Sequence, residues 1–164
     1  MDFNFQNLRV GQGYDIHALV DNRPLILGGI TIPYHQGLAG HSDADVLTHA
    51  IIDALLGASC MGDIGRLFPD NQAQYKGADS IELFKQVLQR LNNDKWKIIN
   101  IDATIIAQKP KLAEHIHNIQ NKLAHVININ SSCVSIKAKT NEKFGYLGRA
   151  EAIAVHTACL MYKS

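Results

Sequence analysis

Apolar residues recur at two different spacings along this chain, and the interleaving of the two spacings limits the fold class. Helical spacing, with an apolar residue at every third or fourth position, runs through residues 43–58, 79–91 and 110–126. Extended segments rich in β-branched residues occupy 8–19, 24–34, 96–108, 133–140 and 151–162. The last of these also fits a helix, but its β-branched and small residues favour a strand. We therefore predict one α/β or α+β domain with one mixed sheet.

Charge and cysteine usage restrict the function classes. The net charge of +1 over 164 residues gives no bulk attraction for nucleic acid or an anionic membrane. No apolar run is long enough to span a bilayer, and the N-terminus lacks the basic start and apolar stretch of a signal peptide. The cysteines, Cys60, Cys133 and Cys159, are scattered and lack CxxC spacing. We expect reduced thiols and a cytoplasmic protein.

Asp15, His17 and His49 form a candidate metal set. In a strand, Asp15 and His17 project from the same face, and His49 lies on the predicted helix 43–58. One carboxylate and two imidazoles bind zinc and leave a fourth position open. Asp45 and Asp53 lie four residues either side of His49, so we expect a neighbouring carboxylate to orient or shield its ring. The competing interpretation is a packed, hydrogen-bonded histidine.

Three further segments carry polar groups suited to a phosphorylated ligand. His41, Ser42 and the amides at the helix start suggest an anion site, with Ser42 or Asp43 as N-cap. Lys139, Thr140 and Glu142 offer a cation, a hydroxyl and a carboxylate for Mg2+ and phosphate, or simply form a solvated turn. The segment GDIGRLFPD (62–70) is suited to a ribose or diol, or to capping turns. AQKPKLAEH (107–115) is suited to a strand–helix junction, with Pro110 in the first turn of the third helix.

Taken together, these segments resemble one enzyme family. GYDIHAL (13–19), GDIGRLFPD (62–70), KGADS (76–80), ATIIAQKPKL (103–112) and KTNEKFGYLGRAEAI (139–153) are similar to segments of the 2-C-methyl-D-erythritol 2,4-cyclodiphosphate synthases. The similarity runs over residues 9–160 and leaves about seven N-terminal residues as a short extension of a single domain spanning 1–164.

The resemblance implies an α+β fold with a mixed sheet and helices on one side, like trimeric chorismate mutase. It implies a homotrimer with active sites between subunits and a central cavity that can hold an isoprenoid diphosphate. The family converts 4-diphosphocytidyl-2-C-methyl-D-erythritol 2-phosphate into the cyclic diphosphate and CMP in the non-mevalonate isoprenoid pathway. Its Zn2+ ligands fall on Asp15, His17 and His49, its Mg2+ or Mn2+ carboxylate on Glu142, and its catalytic positions on His41 and Thr140.

The resemblance also implies a substrate-binding set. Asp63 and Gly65 match the ribose site, 107–113 the cytosine pocket, 68–72 the loop near the erythritol, and Tyr146 and Arg149, with Tyr14, the central cavity. The full set is Ser42, Asp63, Ile64, Gly65, Phe68, Pro69, Asp70, Asn71, Gln72, Ala107, Gln108, Lys109, Pro110, Lys111, Leu112, Ala113, Lys139, Asn141, Tyr146 and Arg149.

Tyr14 and Tyr146 stand where many family members carry Phe, which bears on the ligand of the central cavity and not on catalysis. Two alternative functions remain at this stage. One is a metal-dependent nucleotide phosphohydrolase, and the other is a non-enzymatic trimer that binds an isoprenoid diphosphate.

Overall fold

The computed structural model describes residues 4–69 and 71–164, which build one mixed sheet with helices packed on one face. The strands are β1 Leu8–Asp21, β2 Leu25–Leu27, β3 Ile30–Ile32, β4 Gln36–Leu38, β5 Trp96–Ile106, β6 Val134–Lys139 and β7 Ala152–Lys163. The helices are α1 Val46–Ala58, α2 Ile64–Leu67, α3 Ser80–Asn93, α4 Ile116–Ile127 and α5 Gly145–Gly148.

The main sheet has the strand order β4-β1-β7-β5-β6. β7 pairs antiparallel with both β1 and β5, whereas β5 and β6 are parallel and are joined through α4. The sheet is therefore mixed, as predicted. β7 also confirms that 151–162 is a strand. The predicted bend at Gly28–Gly29 is a turn in which both residues have positive φ, and it joins β2 to β3, which pair as an antiparallel two-stranded sheet.

α1 is the centre of the hydrophobic core. It packs on β1 and β7 on one side and contacts α3 on another, so nearly all of its residues are buried. The opposite face of the sheet carries exposed side chains. On β1, Gly11 and Gly13 face the helix and are buried, whereas Val10 on the other face is 76% exposed. The three long helices, α1, α3 and α4, form one layer as predicted, whereas the one-turn helix α5 packs on the other face through Leu147.

Two helix boundaries differ from the prediction. The third long helix begins at Ile116, and Pro110 lies six residues upstream, after a cis peptide bond from Lys109. Pro110 is therefore not in a first helical turn, and the expected junction is an irregular segment. The N-cap of α1 is Asp45, whose carboxylate accepts a hydrogen bond from the Thr48 amide, so Ser42 and Asp43 were the wrong candidates. None of the helices in the described ranges has the length and apolar character needed to cross a membrane.

Candidate metal centre and substrate cavity

The three predicted ligands meet at one point between β1 and the first turn of α1. Asp15 Oδ2 lies 2.9 Å from His17 Nε2 and 3.1 Å from His49 Nδ1, and the two ring nitrogens are 3.3 Å apart. Ligands of a tetrahedral ion with bonds of about 2.1 Å are separated by about 3.4 Å. The triangle is thus only slightly smaller than the face of a tetrahedral site. This donor set and spacing fit a divalent ion such as zinc.

The close approach of strand and helix depends on a glycine. A Cβ atom on Gly13 would lie 1.9 Å from the Ala50 carbonyl oxygen, so only a residue without a side chain lets α1 rest directly on β1. Ala50 follows His49, and Gly13 precedes Asp15 by two positions on the same face of the strand. The contact therefore sets the distance between the ligand from the helix and the two ligands from the strand.

Hydrogen bonds to the outer ring nitrogens orient both histidines. His17 Nδ1 makes a short hydrogen bond to the Ala39 carbonyl, which accepts only, so Nδ1 carries the proton and Nε2 faces the site. His49 presents Nδ1 to Asp15, and its Nε2 lies 2.9 Å from Ser80 Oγ. The group that orients His49 is thus a hydroxyl.

The predicted orienting carboxylates have other partners. Asp45 is fully buried and accepts hydrogen bonds from the Gly28 and Gly29 amides at 2.9 and 2.7 Å and from Thr48. Asp53 accepts from the Ile64 amide at 2.7 Å. Neither carboxylate makes the direct bond to His49 that helical spacing suggested, because long-range contacts turn them elsewhere.

Asp15 and His17 stabilise each other's charged form. Burial opposes ionisation of Asp15, but the adjacent rings of His17 and His49 outweigh it and lower the pKa of this carboxyl below its ordinary value. Burial likewise opposes charging of His17, but the hydrogen bond and the charge of Asp15 raise its pKa. Burial also raises the pKa of Asp53, next to the site. A metal ion binds the ring nitrogens in their unprotonated form, so its binding would compete with protons for them.

A cavity of about 520 Å³ opens over the ligand triangle. Ten predicted site residues line it: Asp15, His17, His41, Ser42, His49, Ile64, Gly65, Phe68, Pro69 and Asn71. Its wall also contains Gly40, Tyr75 and Leu83, which are not predicted from the sequence, and Asp53, which the sequence predicts only as an outer partner of His49. The spacing of Asp53, four residues after His49 on the same helix, predicts that it lies near the site. Tyr75 and Leu83 reach the cavity only through tertiary packing, which the sequence does not reveal.

Two other predicted residues of the loop at 62–72, Asp63 and Gln72, do not line this cavity. The Asp63 carboxylate accepts from the Arg66 amide at 2.8 Å and caps α2, which is the capping role left open above. The Gln72 amide donates to the Pro69 carbonyl. Asp70 lies outside the described residues. The anion site at the start of α1 is also partly filled, because Ser42 and Asp43 side chains accept from the Ala44 and Asp45 amides.

A second group of predicted residues gathers at the carboxyl ends of β5 and β6. The Ala107 amide donates to the Lys139 carbonyl, and the Lys143 amide donates to Gln108 Oε1. Thr140 Oγ1 donates to Glu142 Oε1 at 2.7 Å. Of the segment 107–113, the Leu112 side chain is buried in the core, so only its backbone remains to meet a ligand.

The two groups do not meet within one chain. The described residues that line the cavity include no member of the second group. β6 is three strands from β1 in the sheet, which is about 14 Å at ordinary strand spacing. One chain therefore presents two separate partial sites, one with the ligand triangle and one with Glu142.

Tyr14, Tyr146 and Arg149 form a third group, on the open side of the sheet. Burial, and after it the neighbouring hydroxyl of Tyr146, raises the pKa of Tyr14. Arg149 Nε donates to Glu151 Oε1 at 2.6 Å. Arg149, which the resemblance assigns to the central cavity, therefore already has a carboxylate partner in a single chain.

Comparison with known proteins places the chain in a family. The sequence model of the YgbB family matches residues 8–162. This chain belongs to the YgbB family. Among curated relatives, the 2-C-methyl-D-erythritol 2,4-cyclodiphosphate synthase of Chromobacterium violaceum is 54% identical over 153 residues, which are 93% of this chain and 97% of that protein. The synthase of the same name from Clostridium perfringens is 54% identical over 95% of this chain and 100% of that protein.

Solved structures agree with the YgbB assignment. The bifunctional IspDF from Campylobacter jejuni superposes with a TM-score of 0.92 at 39% identity, and the match covers 96% of this chain but 42% of that longer one. The CDP complex of Plasmodium falciparum IspF gives a TM-score of 0.84 at 34% identity, over 98% of this chain and 99% of that one. The family resemblance and the fold class inferred from sequence are confirmed.

Proposed function

We propose that this chain is a cyclodiphosphate synthase that converts 4-diphosphocytidyl-2-C-methyl-D-erythritol 2-phosphate into 2-C-methyl-D-erythritol 2,4-cyclodiphosphate and CMP. The observation that most supports this proposal is the ligand triangle of Asp15, His17 and His49 at the cavity of about 520 Å³, in a chain 54% identical to a 2-C-methyl-D-erythritol 2,4-cyclodiphosphate synthase. A structural relative bound to CDP supports a substrate with a cytidine diphosphate group. The comparisons do not favour the hydrolase or the non-enzymatic trimer.

We infer that Asp15, His17 and His49 hold Zn2+ or a similar divalent ion, and that Glu142 holds Mg2+ or Mn2+ together with the substrate diphosphate. Bound cations would supply positive charge beside the phosphates and so lower the cost of charge build-up on the leaving group. The three-ligand triangle supports the first assignment, because it leaves one side open to substrate. The exposed carboxylate of Glu142 next to Thr140 supports the second.

The chemistry needs alignment more than a protein nucleophile. An oxygen of the substrate's 2-phosphate forms a bond to the β-phosphorus, and the bond from that phosphorus to the bridging oxygen breaks, so that CMP leaves with the electron pair. His41 and Ser42 at the cavity would position the reacting phosphates from one side, and Thr140 with Lys139 from the other. Holding both phosphates in line supplies most of the rate gain in an intramolecular reaction.

The remaining substrate contacts are proposed from the same two groups. Ile64, Gly65, Phe68, Pro69 and Asn71 line the cavity, which supports contacts to the ribose and erythritol there. The backbone of 107–113 would read the cytosine base, with Asn141 nearby. Asp63, Asp70 and Gln72 stay in the proposed set on family resemblance. The free thiols of all three cysteines support a cytoplasmic location.

We propose that the working unit is a homotrimer whose active sites form between neighbouring subunits. Two observations support this arrangement. The cavity and the Glu142 group lie on different parts of one chain, and the sheet face opposite the helices is uncovered, with Val10 76% exposed. Tyr14, Tyr146 and Arg149 on that side would line a central cavity for an isoprenoid diphosphate.

Phosphorus NMR of the purified chain tests the reaction. Incubation with the diphosphocytidyl methylerythritol phosphate and Mg2+ should give the cyclic diphosphate and CMP, and a zinc chelator should abolish both. The His49→Ala variant should be inactive but folded. A linear phosphate product would establish a hydrolase instead, and no turnover by folded, metal-loaded protein would contradict an enzymatic role.

Mixed variants test whether sites are shared between subunits. His49→Ala and Glu142→Ala proteins should each be inactive alone. If every site takes its metal ligands from one subunit and Glu142 from the next, dissociation and reassembly of an equal mixture should restore activity in about one quarter of the sites. Sites contained in one chain would show no recovery, and mixing wild type with itself controls for losses during reassembly.

A further inference from the structure

A chain of side-chain hydrogen bonds leads from the proposed metal ligand His49 away from the cavity. His49 Nε2 lies 2.9 Å from Ser80 Oγ, and Ser80 Oγ makes a short hydrogen bond to Asp43 Oδ1. Ser80 is the first residue of α3 and has no exposed surface. Neither Ser80 nor Asp43 lines the cavity. The pair therefore contacts the ligand from behind, on the side opposite the site.

The direction of these hydrogen bonds follows from Asp43. Its carboxylate already accepts from the Asp45 amide at 3.2 Å and from the Ser80 amide at 3.1 Å. Since the carboxylate accepts, the Ser80 hydroxyl proton points to Asp43, and the Ser80 oxygen is left to accept a proton from His49 Nε2. His49 is thereby held with its proton on Nε2 and its lone pair on Nδ1, which faces Asp15 and His17.

Backbone pairing makes this arrangement rigid. The Asp43 amide donates to the Ala78 carbonyl at 3.0 Å, and the Gly77 amide donates to the His41 carbonyl at 2.8 Å. The segment that enters α1 is thus tied to the segment that enters α3. Ser42 Oγ also approaches His49 Nε2, at 3.3 Å, but that oxygen accepts from the Ala44 amide as well and its residue is partly exposed. Ser80 is the closer partner.

We propose that Ser80 and Asp43 are positioning residues of the metal centre, which select the ring tautomer of His49 and fix its orientation for binding through Nδ1. The inference rests on the proposed metal site and extends it. Outer partners of ligating histidines commonly contribute to metal affinity because they set the tautomer and the ring plane. Here the outer partner is Ser80, whose hydroxyl proton is directed by the Asp43 carboxylate. Ser80 and Asp43 belong to segments that flank the cavity.

The test compares Ser80→Ala with a matched control, Ser59→Ala. Ser59 is also buried, and its hydroxyl donates to the Leu55 carbonyl at the far end of α1. Competition of Zn2+ against a chromophoric chelator should give a dissociation constant raised about 10- to 100-fold for Ser80→Ala and unchanged for Ser59→Ala. Asp43→Asn should shift the constant in the same direction as Ser80→Ala.

Nitrogen-15 NMR of the metal-free protein gives a readout that a loss of stability alone does not change. Wild type and Ser59→Ala should show His49 protonated at Nε2, and Ser80→Ala should show both tautomers. Wild-type zinc affinity in folded Ser80→Ala, or a wild-type His49 protonated at Nδ1, would overturn the inference. Failure of wild type itself to bind Zn2+ would instead overturn the proposed metal site, and this inference with it.

Discussion

Replacing Gly13 by alanine should damage the metal centre through the packing of α1 on β1. A Cβ atom at this position would lie 1.9 Å from the Ala50 carbonyl oxygen and 2.8 Å from the Ala54 amide nitrogen. Both are backbone atoms, so no side-chain rotation relieves the clash. Ordinary contact begins near 3.4 Å, so strand and helix must separate by about 1.5 Å.

The separation has two measurable consequences. Overpacking of this kind costs about 1–3 kcal/mol of unfolding free energy, which corresponds to a fall of about 2–12 °C in Tm for a chain of this length. It also moves His49 away from Asp15 and His17, which are now 3.1 and 3.3 Å away. Metal sites tolerate deviations of about 0.2 Å in bond length, so zinc affinity and kcat/KM should each fall by about 100-fold.

Gly57→Ala is the matched control, because Gly57 lies on the same helix near the same strand. Its Cβ would come no closer than 3.9 Å to the Gln12 carbonyl oxygen. We expect this variant to keep its zinc affinity and to gain up to about 1 kcal/mol, because alanine is the better helix former. Thermal unfolding and chelator competition measure both proteins. A Gly13→Ala protein with wild-type Tm and zinc affinity would refute the reasoning.

Three further outcomes follow from single groups. Asp45→Ala should lower the free energy of unfolding in urea by at least about 3 kcal/mol, because the amides of Gly28, Gly29 and Thr48 lose their acceptor. A loss smaller than that of an exposed helix cap would contradict this. Zinc affinity should be highest at high pH and should fall as the pH drops through the raised pKa of His17, because protons compete with the metal for His17 Nε2. An affinity that stays constant from pH 8 to 5.5 would exclude His17 as a ligand. Burial raises the pKa of Cys159 to about 11, so at pH 8 a thiol reagent should label exposed Cys60 and spare Cys159 until the protein unfolds, as read by mass spectrometry; labelling of Cys159 in the native protein would show that the core opens.

Periodicity predicted the elements that carry the metal ligands because the information is local. β1 was predicted at 8–19 and spans Leu8–Asp21, and the helix predicted at 79–91 spans Ser80–Asn93. In a strand, alternate residues share a face whatever the strand packs against, so Asp15 and His17 had to project together. The helical position of His49 followed from its apolar neighbours in the same way.

The start of α1 could not be predicted because distant partners decide it. Ser42, Asp43 and Asp45 are all favourable N-cap residues, and local propensity does not rank them. Asp43 pairs with Ser80, which is 37 residues away, and Asp45 receives the amides of Gly28 and Gly29. Asp43 is therefore engaged with α3, and Asp45 is left to cap α1. Asp45 and Asp53 make no direct bond to His49 because their partners are likewise distant in the chain, although Asp53 still interacts electrostatically with that ring.

The placement of Glu142 shows how strand order, and not strand content, determines what a site contains. Each half of the proposed site lies on or directly after an element that the sequence predicts correctly, yet β7 and β5 lie between β1 and β6 in the sheet. A shorter loop or a different rotamer cannot close about three strand spacings, so Glu142 needs either a substrate that bridges the gap or a neighbouring copy that brings it to the cavity. An intramolecular phosphoryl transfer requires the two phosphates to be held within bonding distance of each other, which favours the neighbouring copy. Recovery of activity on mixing His49→Ala with Glu142→Ala separates these two arrangements, because only the second allows one variant to supply what the other lacks.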